Sequence, residues 1–478
     1  MCAYAQEDKI WIVSPYASKL FSDSPNFNLD TFNHGVVTDG CAATSSTKSG
    51  SLNFFTTGTK VLDRNGDLME NGDSTCDDIF LKYYSRNGML CNQSVLTFPR
   101  GYSLYWIVQT LYSDSQLTLG GPLYNDRIYY HTVDMRANGG LGKVTSKKNF
   151  LYGEAVAEDH FTACKHANGR DYWLIAVKYQ DSTYVKFLVT PDSILGPYYQ
   201  TIGSAYFEPD YRGALCFSAD GSRFAGIGAR SKLNIMDFDR CTGEFSNAVS
   251  LVIPNDTVWY QGQTQIVGNG ANGVAFSPSG RFLYLLGYQF IRQYNLNDFF
   301  SQVVWQWDST YGFTFTNEGY LSYNGKIIIS NYHGLGSHGY HTIEYPDSPG
   351  MACRFKWNSV VTHPPILNYN CLNNTFNYRL GALAGSGCDT IRTAVKDIEK
   401  EKRIHIYPNP ATDQVIVELY EYLKNAQLAI YDNAQRLVYS KPDMFMETKV
   451  DISKWPTGIY TVQVRNEQKV WEERMIKR

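Results

Sequence analysis

Several patterns that would place this 478-residue chain in a familiar class are missing from its sequence. No run approaches the ~18–20 uninterrupted apolar residues of a membrane helix, so we expect no membrane-spanning segment. The 43 Lys and Arg residues nearly balance the 46 Asp and Glu residues, so the chain lacks the excess of positive charge that indicates binding to nucleic acid. No GxSxG elbow, P-loop or HExxH motif occurs either. The sequence therefore names no catalytic residue and indicates no cofactor, although the two distant carboxylates of a glycosidase would leave no local motif.

The ten cysteines are scattered along the chain and form none of the usual motifs. No CxxC pair occurs, and no Cys/His cluster has zinc-finger spacing, so a structural zinc site is not expected. Cys371 and Cys388 enclose a short, turn-rich segment and are the best disulfide candidates. Cys216 lies in an alternating run and is interpreted as a small core residue, not a reactive thiol.

Three histidines, His333, His338 and His341, lie close together and are the best candidates for metal ligands. No carboxylate before Glu344 is placed to complete a coordination shell, and the glycines between the histidines favour a surface loop. We therefore predict no metal site in this tract.

Up to about residue 390 the sequence shows almost no helical periodicity. Short runs rich in β-branched and aromatic residues alternate with turn residues, as in residues 172–177 (YWLIAV) and 326–330 (KIIIS). The Asn-Gly and Asp-Gly pairs between such runs accept the positive φ angles of two-residue hairpin turns. The sequence therefore predicts an all-β fold for this part of the chain.

A weak internal repeat narrows this prediction. The segment FSADG at residues 217–221 is echoed by FSPSG at residues 276–280. Repeats of this size made only of strands are typical of propeller blades, so residues 7–390 are predicted to form a six- or seven-bladed β-propeller. Phe217 and Phe276 should then occupy equivalent inward positions of neighbouring blades. A pair of β-sandwiches is the alternative, but it would not explain the repeat.

Residues 130–150 (YHTVDMRANGGLGKVTSKKNF) and 164–177 (CKHANGRDYWLIAV) carry a resemblance to a known group. They resemble a hairpin and the following strand pair in secreted propeller proteins of Bacteroidetes-type bacteria, whose domain closes near a segment like NYRLG at residues 377–381. The similarity covers most of residues 35–390. It implies the propeller fold and no catalytic residue.

Composition changes sharply near residue 390. Residues 391–404 are a charged run without aromatics and are predicted to be a linker. Residues 405–478 contain a single glycine and no cysteine, and Val415 and Val417 alternate with polar residues as in a strand. This region is predicted to be a separate small β-sandwich.

The motifs of this last region are the most specific in the chain. They read IYPNPATD at residues 406–413, LAIYD at 428–432, DIS at 451–453 and PTGIY at 456–460. Their order and spacing resemble the type A C-terminal sorting domain of cargo proteins of the type IX secretion system.

The resemblance implies a sorting signal that includes Pro408, Asn409, Pro410, Gly458, Ile459, Tyr460 and Lys477. The two prolines would hold Asn409 in a rigid turn because their φ angles are fixed. Gly458 would give the turn before the final hairpin its backbone freedom. Two partners of residues 405–478 are also implied, namely the outer-membrane translocon and the surface peptidase that removes such domains.

The first residues also favour export. Ala3, Tyr4 and Ala5 precede Gln6 in the small-x-small form of a signal-peptidase site, so residues 1–6 are interpreted as the remnant of a signal peptide. A polar N-terminal tail is the alternative. With the sorting domain, this predicts passage through the periplasm to a secreted or outer-membrane surface-attached location.

Three functions are open for the propeller. The leading hypothesis is non-catalytic binding of a glycan or another surface protein through loops on one face. The alternative is a secreted carbohydrate-active enzyme with carboxylates in the central pocket. The third is a structural propeller that serves only assembly. His34, His166 and Asp171 are candidates to face the pocket, although a hydrogen-bonded strand histidine is the commoner outcome.

Aromatic side chains give a second set of candidates for glycan binding. They could stack on sugar rings, but for most of them packing between blades is favoured. The candidates are Tyr198 with Tyr199, Trp259 with Tyr260, and Trp305 with Trp307.

Overall fold

The computed structural model is built almost entirely from β-strands. The residues that it describes are 9–13, 18–21, 27, 29–32, 42–47, 50–77, 81–82, 93–101, 103–112, 124–206, 213–228, 232–254, 256–260, 263–267, 270–287, 289–308, 314–333, 337–366, 372–389, 404–419, 423, 425–466 and 470–478.

Seven antiparallel units follow one another along the described part of the chain before residue 370. The first two have three strands each: β1 (Ile10–Val13), β2 (Ser18–Phe21) and β3 (Leu29–Thr31), then β4 (Ala43–Ser46), β5 (Leu52–Thr56) and β6 (Val61–Asp63). Blade 3 comprises β7 (Val95–Pro99), β8 (Leu104–Tyr112), β9 (Tyr124–Asp134) and β10 (Lys143–Tyr152), and blade 4 comprises β11 (Val156–Lys165), β12 (Tyr172–Lys178), β13 (Thr183–Val189) and β14 (Ile194–Thr201). A short pairing of β9 with β11 joins these two blades in one eight-stranded sheet.

The remaining blades have four strands each. Blade 5 comprises β15 (Gly213–Phe217), β16 (Arg223–Gly228), β17 (Lys232–Phe238) and β18 (Phe245–Val252), and a hairpin of β19 (Asp256–Tyr260) and β20 (Gln263–Val267) follows it. Blade 6 comprises β21 (Ala271–Phe276), β22 (Phe282–Gly287), β23 (Phe290–Asn295) and β24 (Ser301–Gln306), and blade 7 comprises β25 (Thr314–Leu321), β26 (Ile327–His333), β27 (Ser337–Ile343) and β28 (Phe355–Ile366). Short 3₁₀ turns lie at Asn138–Gly140 and Gly350–Cys353.

Hydrophobic contacts close these units into a ring. A separate cluster of buried side chains fills each interface between consecutive blades. A seventh cluster joins the last blade to the first, where Trp11 packs edge-on against Tyr320 with 6.4 Å between ring centroids. The described strands therefore form a seven-bladed β-propeller, which confirms the predicted fold and decides between six and seven blades.

The sequence repeat corresponds to a recurring turn after the innermost strand of a blade. Phe217 and Phe276 are the last residues of β15 and β21, so they occupy equivalent positions. After each of them a serine carbonyl accepts the N–H of the turn glycine, at 2.9 Å in both blades. Gly221 and Gly280 have φ angles of 74° and 71°, a conformation that favours glycine over residues with a Cβ.

Residues 372–389 form a strap that runs back across one end of the ring. Because it crosses several innermost strands, the strap ties together blades that are far apart in sequence. It hydrogen bonds to four blades. Asn374 bonds to Ala42 of blade 2, Tyr378 to Thr97 of blade 3, Leu383 to Ala167 of blade 4 and Gly381 to Arg240 of blade 5.

A disulfide between Cys241 and Cys388 fastens the end of the strap to blade 5. Their Cα atoms lie 5.6 Å apart, within the usual range for a bridge. The predicted pairing of Cys371 with Cys388 is therefore wrong, because a sulfur forms one disulfide and Cys388 is already bonded. Cys371 itself lies outside the described residues. Proximity in sequence suggested the wrong partner, whereas the path of the strap brings together cysteines 147 residues apart.

The C-terminal domain is a sandwich of two antiparallel sheets. One sheet contains β29 (Ile404–Tyr407), β30 (Gln414–Leu419) and β33 (Glu447–Asp451), and the other contains β31 (Gln427–Tyr431), β32 (Leu437–Lys441), β34 (Gly458–Arg465) and β35 (Val470–Lys477). One cluster of buried aliphatic and aromatic side chains fills the space between them. The predicted small β-sandwich is confirmed.

The first sheet of the sandwich meets the propeller at the turn between β9 and β10. Arg136 of that turn lies close enough to Tyr407 and Glu418 for the charges to interact. A Cβ on Gly140 would lie 3.3 Å from Cγ of Met446. The predicted linker 391–404 lies, except for Ile404, outside the described residues.

Candidate functional site

The central channel of the propeller is crossed by the side chain of Gln93, which precedes the first strand of blade 3. Its amide nitrogen donates to the carbonyl of Leu215 in blade 5 at 3.0 Å, and its amide oxygen accepts the N–H of Leu215 at 2.9 Å. The same nitrogen lies 3.4 Å from the hydroxyl of Tyr320 in blade 7. The backbone N–H of Gln93 donates to Asp159 of blade 4 at 3.2 Å. One buried residue, through its side chain and its backbone N–H, thus connects four blades.

Two carboxyl groups, Asp159 and Glu318, lie near this crossing. Both are buried, and Glu318 accepts the N–H of Leu372 at 2.6 Å and faces the hydroxyl of Tyr320 at 3.5 Å. Burial raises the pKa of Glu318 well above that of a free glutamate, and the nearby charge of Asp159 raises it further. Burial therefore favours the protonated form of Glu318. A protonated carboxyl beside a second carboxyl is the pairing used in glycoside hydrolysis.

A small and largely apolar cavity lies between the strap and the innermost strands of blades 4 to 7. Phe217 and Phe276 line it, together with Cys164 and Cys216. Burial raises the pKa of the Cys164 thiol to about 12 and also raises the pKa of Cys216. Both thiols therefore stay protonated at neutral pH, which makes them wall residues and poor nucleophiles.

The predicted histidine candidates do not assemble into a site within the described structure. His341 is buried and stacks on Trp357 at 3.9 Å, and its Nδ1 accepts the N–H of Asn358 at 3.0 Å. Burial lowers its pKa to about 3, so the imidazole is neutral. The side chains of His333 and His338 lie outside the described residues. No group of three or more His, Cys, Asp or Glu side chains suited to a metal ion occurs among the residues that are described.

His166 and Asp171 lie in a hairpin turn and not in the channel. Nδ1 of His166 accepts the N–H of Asn168 at 3.0 Å, and its other ring nitrogen lies 2.9 Å from the carbonyl of Cys241. Asp171 accepts hydrogen bonds from the side chains of Asn168 and Arg170. These residues shape the turn on which the strap rests, so they do not face the central pocket, and His166 is hydrogen-bonded as in the commoner outcome. His34 lies outside the described residues.

The three pairs of aromatic residues considered for glycan binding lie in different environments. Trp305 and Trp307 are buried between blades 6 and 7, so they are core residues. Tyr198 and Tyr199 are exposed, but as successive residues of the outer strand β14 they point to opposite faces. Tyr198 packs against Trp173, and Tyr199 lies against Lys178 and Glu154. The side chains of Trp259 and Tyr260 lie outside the described residues.

In the sandwich, the Pro408-Asn409-Pro410 motif binds the last strand. The side-chain amide of Asn409 donates to the carbonyl of Arg474 at 2.8 Å, and its oxygen accepts the N–H of Ile476 at 2.9 Å. Backbone pairing then continues from Ala411 to Ile476 and Arg478. Sequence reasoning predicted a rigid turn here and missed this clamp. The signal was present, because proline has no N–H and the asparagine side chain is the donor best placed between two prolines.

The other predicted signal residues divide into buried and exposed ones. Tyr460 belongs to the core, and its hydroxyl donates to the carbonyl of Pro456 at 2.7 Å. Lys477 is buried, and its amine donates to the carbonyl of Arg478 at 2.7 Å. Ile459 is exposed, at 53%. Gly458 has no positive φ, and a Cβ there would meet no atom within 4 Å, so the predicted need for glycine freedom is wrong.

Comparison with known proteins identifies the sandwich. Residues 405–478 match the family model described as the secretion system C-terminal sorting domain. None of the curated proteins matches the chain in sequence. The domain marks the chain as cargo of the type IX secretion system, which exports it to the cell surface or the extracellular space. No helix in the described part of the chain is long and apolar enough to cross a membrane.

Solved structures similar to the chain include three bacterial proteins. PorZ of Porphyromonas gingivalis, an essential bacterial surface component of the type-IX secretion system, is 10% identical, with 97% of this chain and 68% of PorZ covered and a TM-score of 0.27. A candidate 6-phosphogluconolactonase from Bacteroides fragilis is 11% identical, with 77% and 98% covered and a TM-score of 0.41. A quinonprotein alcohol dehydrogenase-like protein from Bacteroides thetaiotaomicron is 9% identical, with 78% and 79% covered and a TM-score of 0.36.

Proposed function

We propose that this exported protein is a non-catalytic binding module whose propeller holds a glycan or another surface protein. The translocon of the type IX system and the surface peptidase of that system act on residues 405–478. The propeller then works either attached to the outer-membrane surface or released into the medium. Loops and outer strands on a rigid ring present side chains in fixed positions, which suits recognition.

The observation that carries the proposal is the engagement of the channel carboxyl groups. A glycosidase needs a general acid and a second carboxylate that a sugar and a water can reach. Asp159 and Glu318 are both buried, and both accept hydrogen bonds from the protein itself, from Gln93 and Leu372 respectively. This supports recognition outside the channel over catalysis within it.

The surface around Tyr199 is the part of the propeller whose chemistry suits a glycan. One side of its ring is approached by Lys178 at 4.9 Å, and its hydroxyl lies 3.4 Å from Glu154, which itself forms an ion pair with Lys178. An exposed aromatic ring beside charged hydrogen-bonding groups can bind a sugar through its apolar face and its hydroxyls.

Glycan-array binding of the purified full chain tests the proposal, with Tyr199→Ala compared with Tyr198→Ala. Both tyrosines are exposed on the same strand, so the pair separates the two faces of blade 4. Binding that falls about tenfold in Tyr199→Ala alone supports a glycan site at this position. Array binding that neither variant changes would place any glycan contact elsewhere, and an absence of array binding would favour a protein ligand.

The enzymatic alternative keeps one specific feature in its favour, the raised pKa of Glu318 near Asp159. It is tested by assaying the parent chain on polysaccharide and aryl-glycoside substrates beside Glu318→Gln, which keeps the shape of the side chain. We expect no turnover by either protein. Hydrolysis by the parent that disappears in Glu318→Gln would replace the binding proposal with the enzymatic one.

A further inference from the structure

The strap changes character near Leu383. Before that residue, its backbone and side chains bond to the ring at short intervals, and Phe376 and Tyr378 are buried against blades 3 and 4. Leu383 itself still donates its N–H to the carbonyl of Ala167 at 2.8 Å. The strap therefore consists of a firmly bonded part and a tail, residues 384–389, that follows it.

The backbone bonds of the strap tail connect its residues to the strap itself. The N–H of Ser386, for example, donates to the carbonyl of Leu383 at 3.1 Å. A Cβ added to Gly385 or Gly387 would meet no atom of the described structure within 4 Å, so the ring does not pack against these glycines. The disulfide at the end of the tail is the covalent connection that holds it to blade 5.

The partner in this disulfide, Cys241, lies in a well-fixed turn of blade 5. Its N–H donates to the carboxylate of Asp239 at 2.7 Å, and its carbonyl lies 2.9 Å from Nε2 of His166. The neighbouring Arg240 donates to the carbonyl of Gly381 in the strap at 2.7 Å. One turn therefore holds the strap at two points, by a hydrogen bond before the strap tail and by the disulfide at its end.

The strap tail leads into the segment that joins the two domains. The sandwich begins at Ile404, and its first sheet lies against the turn between β9 and β10. While the sorting domain is present, the chain between the strap and the sandwich is thus held at both of its ends. Removal of the domain would turn the strap tail into a C-terminus, and chain termini fray unless they are tied down.

We propose that the disulfide between Cys241 and Cys388 locks the C-terminus that removal of the sorting domain creates. The proposal rests on the proposed removal of residues 405–478 by the surface peptidase. With the lock, the end of the strap cannot lift off blade 5, so the earlier strap bonds persist after removal. Without it, the strap would peel from its end, and the buried amine of Lys165 would lose the carbonyl of Tyr378, to which it donates at 3.0 Å.

The test uses the full chain with a recognition sequence for a specific protease placed within residues 391–403. The parent is compared with the double variant Cys241→Ser and Cys388→Ser, each before the cut and after the cut and removal of the sandwich. Gln200→Ala, treated in the same way, is the control, because it removes hydrogen bonds to blade 5 that do not involve the strap. Reductant added to the folded parent opens the same disulfide and replaces the double variant if the latter does not fold.

Hydrogen exchange of the strap peptides that contain Leu383 and Asn374 is measured by mass spectrometry. In the parent and in the control, we expect the cut to change both exchange rates by less than about twofold. In the double variant, the cut should accelerate exchange at Leu383 at least about tenfold, and at Asn374 by less, because fraying starts at the chain end.

Two results would overturn the proposal. One is an equal effect of the cut on the parent and on the double variant. The other is exchange in the uncut double variant that is already as fast as in the cut one, since the disulfide would then act regardless of the sorting domain. The mass of the surface protein in a bacterium with a working type IX system tests the premise separately. A mass that still includes residues 405–478 would contradict the proposed removal and leave the exchange result as it stands.

Discussion

An amide side chain takes the place of a strand partner in each of the two domains. In the propeller, Gln93 bonds to the N–H and the carbonyl of Leu215. In the sorting domain, Asn409 bonds to the N–H of Ile476 and the carbonyl of Arg474. A carboxamide carries a donor and an acceptor, as a peptide group does, so it can pair with an exposed strand edge.

The two sites differ in their access to water. Gln93 is 3% exposed in the centre of a closed ring, whereas Asn409 is exposed at the edge of a sheet. A buried peptide group that loses its partner costs far more free energy than one that can bond to water. The propeller crossing is therefore a permanent part of the fold. The clamp of the sorting domain can open at small cost, which suits a domain that export machinery must handle.

The same device recurs between the blades, at one partly exposed glutamine and at two buried amide side chains. It brings the edges of neighbouring sheets together without a continuous ladder. The examples are Gln200 with Phe245, Asn234 with Ser204, and Gln293 with Ser348 and Gly350.

The largest expected effect is that of Gln93→Ala on the stability of the propeller. Two buried peptide groups of Leu215 lose their partner, at about 1–3 kcal/mol each, so we expect a loss of about 2–6 kcal/mol in the free energy of unfolding. Urea unfolding of the full chain measures it. Gln200→Ala is the control, because this glutamine makes the same pair of bonds to Phe245 from a partly exposed position. Equal losses in the two variants would show that burial does not determine how much free energy of unfolding such a bond pair contributes.

The strap gives the next largest effect. Cys388→Ser opens the bridge that closes a loop of 147 residues, and we expect it to cost about 2–4 kcal/mol. Thermal unfolding with and without reductant measures the change, and reductant should then have no effect on the variant. The sorting domain contains no cysteine, so its transition should not respond to reductant in either protein. A sorting-domain transition that shifts with reductant would mean that the two domains unfold together.

The parts of this fold that could be predicted from sequence are those set by local pattern. The turn after Phe217 and the one after Phe276 repeat because each needs a serine carbonyl and a left-handed glycine within five residues. The described residues of blades 1 and 2 form three strands each and contain no copy of that turn, so the repeat does not reveal these two blades.

The features that could not be predicted depend on contacts between distant segments. Gln93 and Leu215 are separated by 122 residues, and nothing near either one signals the other. Cys241 and Cys388 come together only because the strap passes over blade 5. In the sandwich, the turn after Tyr431 contains a residue in left-handed geometry that the sequence pattern does not identify. The structure places Gln435 there, at a φ of 61°, since Asp432 anchors the turn by accepting several N–H groups.

A smaller effect should appear as a dependence on pH. Burial holds the pKa of Glu318 above the 4.5 of a free glutamate, so above about pH 4.5 the folded protein keeps a proton that the unfolded chain releases. The stability of the parent therefore falls as pH rises through that window, and Glu318→Gln removes this contribution. We expect the variant to gain stability relative to the parent as the pH rises above about 4.5, measured by urea midpoints. A constant difference across that range would mean that Glu318 is already ionised in the folded protein.

The smallest expected effect is that of Asn409→Ala, and it bears most directly on the difference between the domains. Its two bonds lie at an exposed edge, where water can replace the amide, so the loss in unfolding free energy should be about 1 kcal/mol or less. The local consequence should be larger than the global one, because the N–H of Ile476 loses its acceptor while the rest of β35 stays paired with β34. We expect hydrogen exchange at Ile476 to accelerate about fivefold or more, with the exchange of Val462 in the centre of β34 unchanged.

The variant Asn409→Asp is the control. It keeps the acceptor for Ile476 but sets a carboxylate against the carbonyl of Arg474, so the exchange rate at Ile476 should lie between those of the parent and the alanine variant. A loss as large as that of Gln93→Ala would mean that the clamp is as integral to the sandwich as the crossing is to the propeller.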